Sequence, residues 1–91
     1  MKEIIKLINS ENEIMEHINN IEEGDYVEIY IGRCHVEGMV VDRDDTFFRL
    51  ESDNELIGRV EFELNDKIIG DIVEIVYISE KRGIKTIVRY P

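Results

Sequence analysis

The stretch from Gly24 to Leu64 constrains the fold of this chain more than any other part of the sequence. Apolar residues alternate with other residues along it, and short turn signals interrupt it at nearly regular spacing. A period of two places every second side chain on one face of a strand, and turns at such intervals connect antiparallel neighbours. The stretch therefore predicts consecutive antiparallel strands with one buried face, and it contains no catalytic signature.

Six strands follow from this periodicity and from the segments beyond it. They are predicted at residues 26–31, 34–41, 46–51, 56–64, 71–78 and 84–90. Gly32 and Arg33 fit a two-residue hairpin turn, and Gly38 inside the second strand predicts a bulge or sharp bend of the kind that small barrels need. Shared parity along the strands predicts a core of Val27, Ile29, Val36, Val40, Phe48, Leu50, Val60, Phe62, Val73 and Ile75.

The N-terminal segment, residues 1–23, is predicted to be helical because its apolar residues follow spacings of three and four. Ser10 and Glu13 match a capping box, in which the hydroxyl and the carboxylate satisfy free N–H groups of a first helical turn. The helix therefore restarts or kinks at Ser10, with residues 11–20 as its firmest part, and whether residues 2–9 continue it stays open.

Length, charge and cysteine content restrict the class of protein. The 91 residues suit one domain, residues 1–91, with the helix of 1–23 packed on a sheet of 24–91. The net charge of −10 repels phosphate backbones, so nucleic acid is not expected as a partner. The single cysteine forms no internal disulfide, and no apolar run approaches the roughly 20 residues of a membrane span. A cytoplasmic location without membrane contact is expected, since the N-terminus also lacks signal-peptide features.

The candidate chemical groups do not combine into a site. Cys34 and His35 are neighbours on a strand and so point to opposite faces, and Cys34 is predicted to be a buried, unreactive thiol. His17 is predicted to be solvated on the polar side of the helix. The acidic turn at residues 42–45 lacks the ligand pattern of a calcium loop, and no GxG phosphate cradle occurs. We therefore expect no catalytic residue, no metal and no cofactor.

Two groups of side chains are candidates for contacts with a partner. Apolar side chains on faces that a barrel interior cannot use predict a protein contact. They are Tyr30, Met39, Phe47 and Ile57. The only concentrated positive charge lies in the last hairpin and predicts a contact with an anion. It consists of Lys81, Arg82, Lys85 and Arg89.

Residues 26–78 resemble the Sm-like fold, a small SH3-like barrel that builds rings and binds RNA. The run VEIYIGRCHVEGMVV is similar to the first Sm motif, with Gly38 at its bend, and IIGDIVEI is similar to the second, with Gly70 at its glycine. The resemblance implies a barrel without the RNA site, because Ile69 replaces the RNA-stacking Arg of that family and Phe47 or Phe48 replaces its base-reading Asn.

The runs GDYVEIYIGRCHVEG and ELIG also resemble a family of small uncharacterised proteins from methanogenic archaea. That resemblance implies a cytoplasmic protein and no known activity.

These observations predict an α+β fold, with an N-terminal helix packed on a five- or six-stranded antiparallel SH3-like or Sm-like barrel or curled sheet. The leading functional prediction is a small non-enzymatic binding or assembly module, which forms a homo-oligomer or docks on a protein partner. One alternative is a divergent Sm-like nucleic-acid-binding protein that uses the basic C-terminal hairpin. The other is a small-ligand-binding or enzyme module with a pocket between helix and sheet.

Overall fold

The structure, a computed structural model, describes residues 1–90 and consists of one sheet with two short helices. The elements in chain order are β1 (Lys2–Leu7), α1 (Glu11–Asn20), β2 (Tyr26–Ile31), β3 (Cys34–Asp44), β4 (Phe47–Glu51), β5 (Arg59–Glu63), α2 (Asp66–Asp71), β6 (Ile72–Ser79) and β7 (Ile84–Arg89). The seven strands lie in the order β1-β7-β6-β2-β3-β4-β5, in an open sheet of mixed direction. Six of the strands pair only in antiparallel fashion with one another, which is consistent with the predicted curled sheet.

The first element differs from the prediction, because Lys2–Leu7 is a strand and not part of a helix. It pairs in parallel with β7, and Lys2 N–H and Ile8 N–H donate to the carbonyls of Gly83 and Arg89, each at 2.9 Å. Residues 2–9 therefore do not continue the helix, and the prediction of a helix over residues 1–23 is wrong in this part. The partner strand β7 lies at the other end of the chain. Its hydrogen bonds to β1 favour a strand more than the local apolar spacing favours a helix.

Helix α1 begins where the capping pattern places it. The Ser10 hydroxyl accepts a hydrogen bond from Glu13 N–H at 3.3 Å, which confirms the predicted helix start. Ile14 and Ile18 are buried in the hydrophobic core. At the other end of the helix, the Arg43 guanidinium donates to the carbonyls of Ile18 and Ile21, both at 2.6 Å.

Helix α2 is not among the predicted elements, because its six residues are too few to show a helical period. The Asn65 side-chain oxygen accepts from Ile68 N–H at 2.9 Å and so caps the helix. This helix contributes Ile69 to the core. Strand β5 starts later than predicted, since Gly58 N–H donates to Asn54 O at 2.8 Å and keeps residues 54–58 in a turn.

The core lies on one face of the sheet, and both helices contribute to it. Most of the predicted core residues are buried or packed against this cluster. Val60 is only half-buried and lies outside the cluster. Val73 also departs from the prediction, because the register between β2 and β6 shifts beside Ile31 and places Ile72 inward in its stead. Val73 is exposed, and its assignment to the core is wrong.

The sheet has two free edges, formed by β1 and β5. Within residues 1–90, β5 pairs with β4 alone, so the closure into an SH3-like or Sm-like barrel stays a prediction. Neither helix in this part of the chain has the length and apolar character needed to cross a membrane.

Candidate functional site

Both helices of residues 1–90 pack on the core side of the sheet, and the opposite side is called here the outer face. The alternation within each strand assigns residues to it. Val27 and Ile29 of β2 are fully buried on the core side, so their neighbours Tyr26, Glu28 and Tyr30 point to the outer face. Strand register extends the assignment to the neighbouring strands.

A continuous band of apolar side chains crosses the outer face, and we call it the apolar band. Ile5 of β1 lies beside Ile87 of β7, which lies beside Val76 of β6. In the next row, Ile78 lies beside Tyr26, and Tyr26 beside Met39. The apolar band therefore consists of Ile5, Ile87, Val76, Ile78, Tyr26 and Met39. Its two ends are open to solvent, since Ile5 is 55% exposed and Met39 51% exposed.

Acidic and aromatic side chains lie next to this band on β2 and β3. Glu28 and Glu37 are directly opposite each other, and repulsion between their like charges is destabilising. Two tyrosine hydroxyls offset the repulsion, since Tyr30 donates to Glu28 at 3.0 Å and Tyr26 donates to Glu37 at 3.4 Å. The hydrogen bond to Glu28 raises the pKa of Tyr30, and burial followed by the Glu37 charge raises the pKa of Tyr26. Both hydroxyls therefore keep their protons and act as donors.

The four predicted protein-contact residues do not form one patch. Tyr30 and Met39 share the outer face of the β2–β3 hairpin, where the Tyr30 ring stacks on His35 at a centroid distance of 5.1 Å. Phe47 lies on the same face at the start of β4, with the Arg49 guanidinium 5.8 Å from its ring centre. Ile57 lies in the turn before β5 and is 56% exposed.

The four predicted anion-contact residues are also separated. Lys85 and Arg89 project from β7 onto the outer face, whereas Lys81 and Arg82 lie in the turn before it. Two of these cations are already paired with acids. Arg82 lies 2.7 Å from a Glu22 oxygen, and Arg89 lies 2.9 Å from a Glu74 oxygen. The hairpin therefore presents less free positive charge than its sequence suggests.

Two titratable residues have surroundings opposite to those predicted. Cys34 is exposed, because it is the first residue after the hairpin turn, so the prediction of a buried thiol is wrong. His17 is buried, and its Nδ1 lies 2.9 Å from the Tyr77 hydroxyl. Burial is the main cause that lowers the pKa of His17. In residues 1–90, no group of three or more His, Cys, Asp or Glu side chains is arranged to hold a metal ion.

The candidate surface that sequence reasoning missed is the free edge at β1. Leu7 at this edge is 79% exposed, and Ile5 belongs to the apolar band. The signal that identifies the strand is the alternation of Glu3, Ile5 and Leu7 against Lys2, Ile4 and Lys6 on the other face. That signal becomes visible only once a pairing partner is known.

Comparison with known proteins identifies the family. Residues 4–88 match the model of a family described as uncharacterised proteins conserved in archaea (DUF2097). The chain belongs to this archaeal family. It is also 43% identical over 83 residues to an uncharacterised protein of Methanocaldococcus jannaschii, covering 90% of this chain and 93% of that protein. No solved structure matches the chain. The resemblance to small archaeal proteins is confirmed, whereas the Sm-like resemblance stays a prediction.

Proposed function

We propose that the protein is a non-enzymatic assembly module, in which the free edge of β1 pairs with the β1 edge of a second copy. The observation that carries the proposal is the position of β1 at the end of the sheet order. Lys2 and Ile8 direct their N–H groups towards β7, so Glu3, Ile5 and Leu7 direct theirs away from it. A row of unpaired N–H and C=O groups at a sheet edge is a template for another strand.

The charges along β1 select one register for an antiparallel pairing about a two-fold axis. With Ile5 opposite Ile5 of the second copy, Glu3 faces Leu7 and Ile4 faces Lys6. A shift of two residues in one direction places Lys2 opposite Lys6, and a shift in the other places Lys6 opposite Lys6. Like charges directly opposite each other are destabilising, so the register centred on Ile5 is favoured.

The same register joins the apolar bands of the two copies. Ile5 terminates the row that begins at Val76 and continues through Ile87. Pairing Ile5 with its symmetry mate makes this row continuous across the interface and reduces the exposure of Leu7. The acidic charge of the chain lies elsewhere, since Glu3 is the only acidic residue of the β1 and β7 sequences. Repulsion between two copies of charge −10 is therefore smallest at this edge.

Sedimentation velocity over a wide range of protein concentrations tests the proposal. We expect the wild-type chain to shift from monomer towards dimer as concentration rises. Ile5→Lys places two like charges opposite each other on the two-fold axis and should leave a monomer at every concentration. Ile57→Lys is a matched control, because Ile57 is 56% exposed against 55% for Ile5 and lies far from β1 in the sheet.

Either of two results would contradict the β1 interface. One is a wild-type chain that stays monomeric at all concentrations. The other is an association that Ile57→Lys abolishes and Ile5→Lys leaves intact, which would place the contact at the opposite end of the sheet.

A further inference from the structure

A cavity of about 170 Å³ lies on the core face of the sheet, beside the C-terminal end of α1. Ile4 of β1 and Ile84 at the start of β7 form an apolar wall. Tyr77, Ser79 and Thr86 contribute three hydroxyl groups to the lining. The cavity is smaller than the roughly 300 Å³ of pockets for drug-sized ligands, so its size suits a compact molecule.

The three residues that carry these hydroxyl groups are largely buried. Ser79 is 8% exposed and Thr86 is 7% exposed, although both residues line the cavity. The Tyr77 hydroxyl lies 2.9 Å from His17 Nδ1, which fixes its position. The Ser79 hydroxyl accepts a hydrogen bond from Arg82 N–H at 3.2 Å, and its own proton can still be donated. The Ser79 and Thr86 side chains of the lining can therefore donate to a polar ligand in this cavity.

The charges around the cavity favour an anion. Arg82 lines it, and although Glu22 occupies one guanidinium N–H at 2.7 Å, a guanidinium has five donors. Lys2 and Lys6 flank Ile4 on the same face of β1. The positive charge of Lys6 contributes to lowering the pKa of His17. Arg82 is thus the basic residue of the lining, and Lys2 and Lys6 lie next to the lining residue Ile4 on the same strand face. The exposed pair of Arg82 and Glu22 can admit a second carboxylate, because surface ion pairs contribute little.

We propose that this cavity binds a small aliphatic monocarboxylate. The carboxylate accepts hydrogen bonds from Arg82 and from the hydroxyls of Thr86 and Ser79. The short apolar stem lies against Ile4 and Ile84. The site is complete within one copy of the chain, so it is independent of the association through β1.

A titration of the ¹⁵N-labelled full chain with propionate, followed by NMR, tests this site. We expect saturable shifts of the amide signals of Ser79, Ile84 and Thr86. Propionamide has the same shape without the charge and should cause no saturable shift. Arg82→Gln should weaken propionate binding about tenfold or more, and Thr86→Val should weaken it roughly threefold to tenfold. The control Arg89→Gln removes a cation of β7 on the outer face and should leave the affinity unchanged.

Several outcomes would overturn the proposal. They are the absence of saturable shifts with propionate, equal shifts with propionamide, and an affinity that Arg82→Gln does not change. Inorganic phosphate serves as a further probe. If it binds at the same signals more tightly than propionate, the ligand class is wrong.

Discussion

Arg43 is the side chain that joins the end of α1 to the sheet. Its guanidinium donates to the carbonyls of Ile18 and Ile21 and lies 4.6 Å from the centre of the Phe48 ring. The last carbonyls of a helix have no partner within the helix, so an external donor satisfies them. Burial lowers the pKa of this guanidinium from its ordinary value. Arg43 thus has a structural role, which the sequence alone did not suggest.

We expect Arg43→Met to lower the free energy of unfolding by about 2 to 3 kcal/mol, because it removes charged hydrogen bonds from buried carbonyls. Urea denaturation measures the loss. Arg59→Met is the matched control, since Arg59 is exposed, and it should change stability by less than about 0.5 kcal/mol. Equal effects of the two substitutions would show that Arg43 does not hold the end of the helix.

His17 should make stability depend on pH. Its folded-state pKa is lowered from 6.5, chiefly by burial. Between the folded and unfolded pKa values the unfolded chain binds more protons, so the free energy of unfolding falls as the pH falls through this window. We expect denaturation at about pH 7.5 and about pH 5.5 to show a larger loss for the wild type than for His17→Gln.

The comparison with the variant matters because Asp25 acts in the opposite sense. Burial raises the pKa of Asp25 from 3.8, so its contribution to stability falls as the pH rises above that value. The difference between wild type and His17→Gln isolates the histidine. Identical pH dependence in the two proteins would contradict the assignment.

Residue-level prediction succeeded where a residue lies in the middle of a regular strand. Val27, Ile29 and Phe48 are fully buried, as their parity predicts. It failed for Cys34 and His17. Cys34 shares that parity but lies at a hairpin turn, where the core no longer covers it. The burial of His17 depends on Tyr77, which is distant in the sequence.

At the scale of elements, β1 and α1 show what local patterns can and cannot reveal. The start of α1 is determined locally by Ser10 and Glu13, which are only three positions apart, so the sequence predicts it correctly. The spacing of Ile4, Leu7 and Ile8 fits a helix, yet the segment is a strand. Its partner β7 is formed by the last residues of the chain, and no window of local sequence contains both strands.

Gly38 controls the close approach of β3 and β4. Its φ is +153°, and a Cβ atom at this position would lie 2.6 Å from the carbonyl oxygen of Glu51. This distance is a steric clash. Movement of a side chain cannot relieve it, because the contacted oxygen belongs to the backbone. The bulge of β3 lies between Val40 and Asp42 and not at the predicted Gly38, where the need for glycine is steric.

We expect Gly38→Ala to lower the free energy of unfolding by at least about 2 kcal/mol. The control is Gly70→Ala, since a Cβ there would meet only the flexible Glu11 side chain at 3.3 Å. It should change stability by less than about 1 kcal/mol. Thermal denaturation of both variants decides the matter, and a Gly38→Ala protein as stable as wild type would contradict the predicted close packing.

At the scale of the whole molecule, the sequence predicts the strand content and the single buried face but not the extent of the sheet. The β1 strand adds a seventh, parallel partner to the six predicted strands and moves the free edge of the sheet from β7 to β1. The candidate site depends on that edge, so it was not predictable from periodicity alone. Ile5 joins the apolar band only because the β1–β7 pairing places it beside Ile87.

The charge of the whole molecule bears on the nucleic-acid alternative. The net charge of −10 opposes contact with a phosphate backbone, and the pairing of Arg89 with Glu74 reduces the free positive charge of the last hairpin. The absence of nucleic-acid binding therefore stays our prediction, and assembly through β1 remains the central proposal.

Cysteine cross-linking at Ile5 tests that proposal most directly. In the proposed register the two Ile5 Cα atoms form a hydrogen-bonded antiparallel pair about 5.5 Å apart, within the range that a disulfide spans. The experiment compares Ile5→Cys with Ile57→Cys, both in a Cys34→Ser background, under mild oxidation. We predict that Ile5→Cys forms a disulfide-linked dimer much faster than Ile57→Cys. Equal rates for the two variants, or no dimer with Ile5→Cys, would contradict the β1 interface.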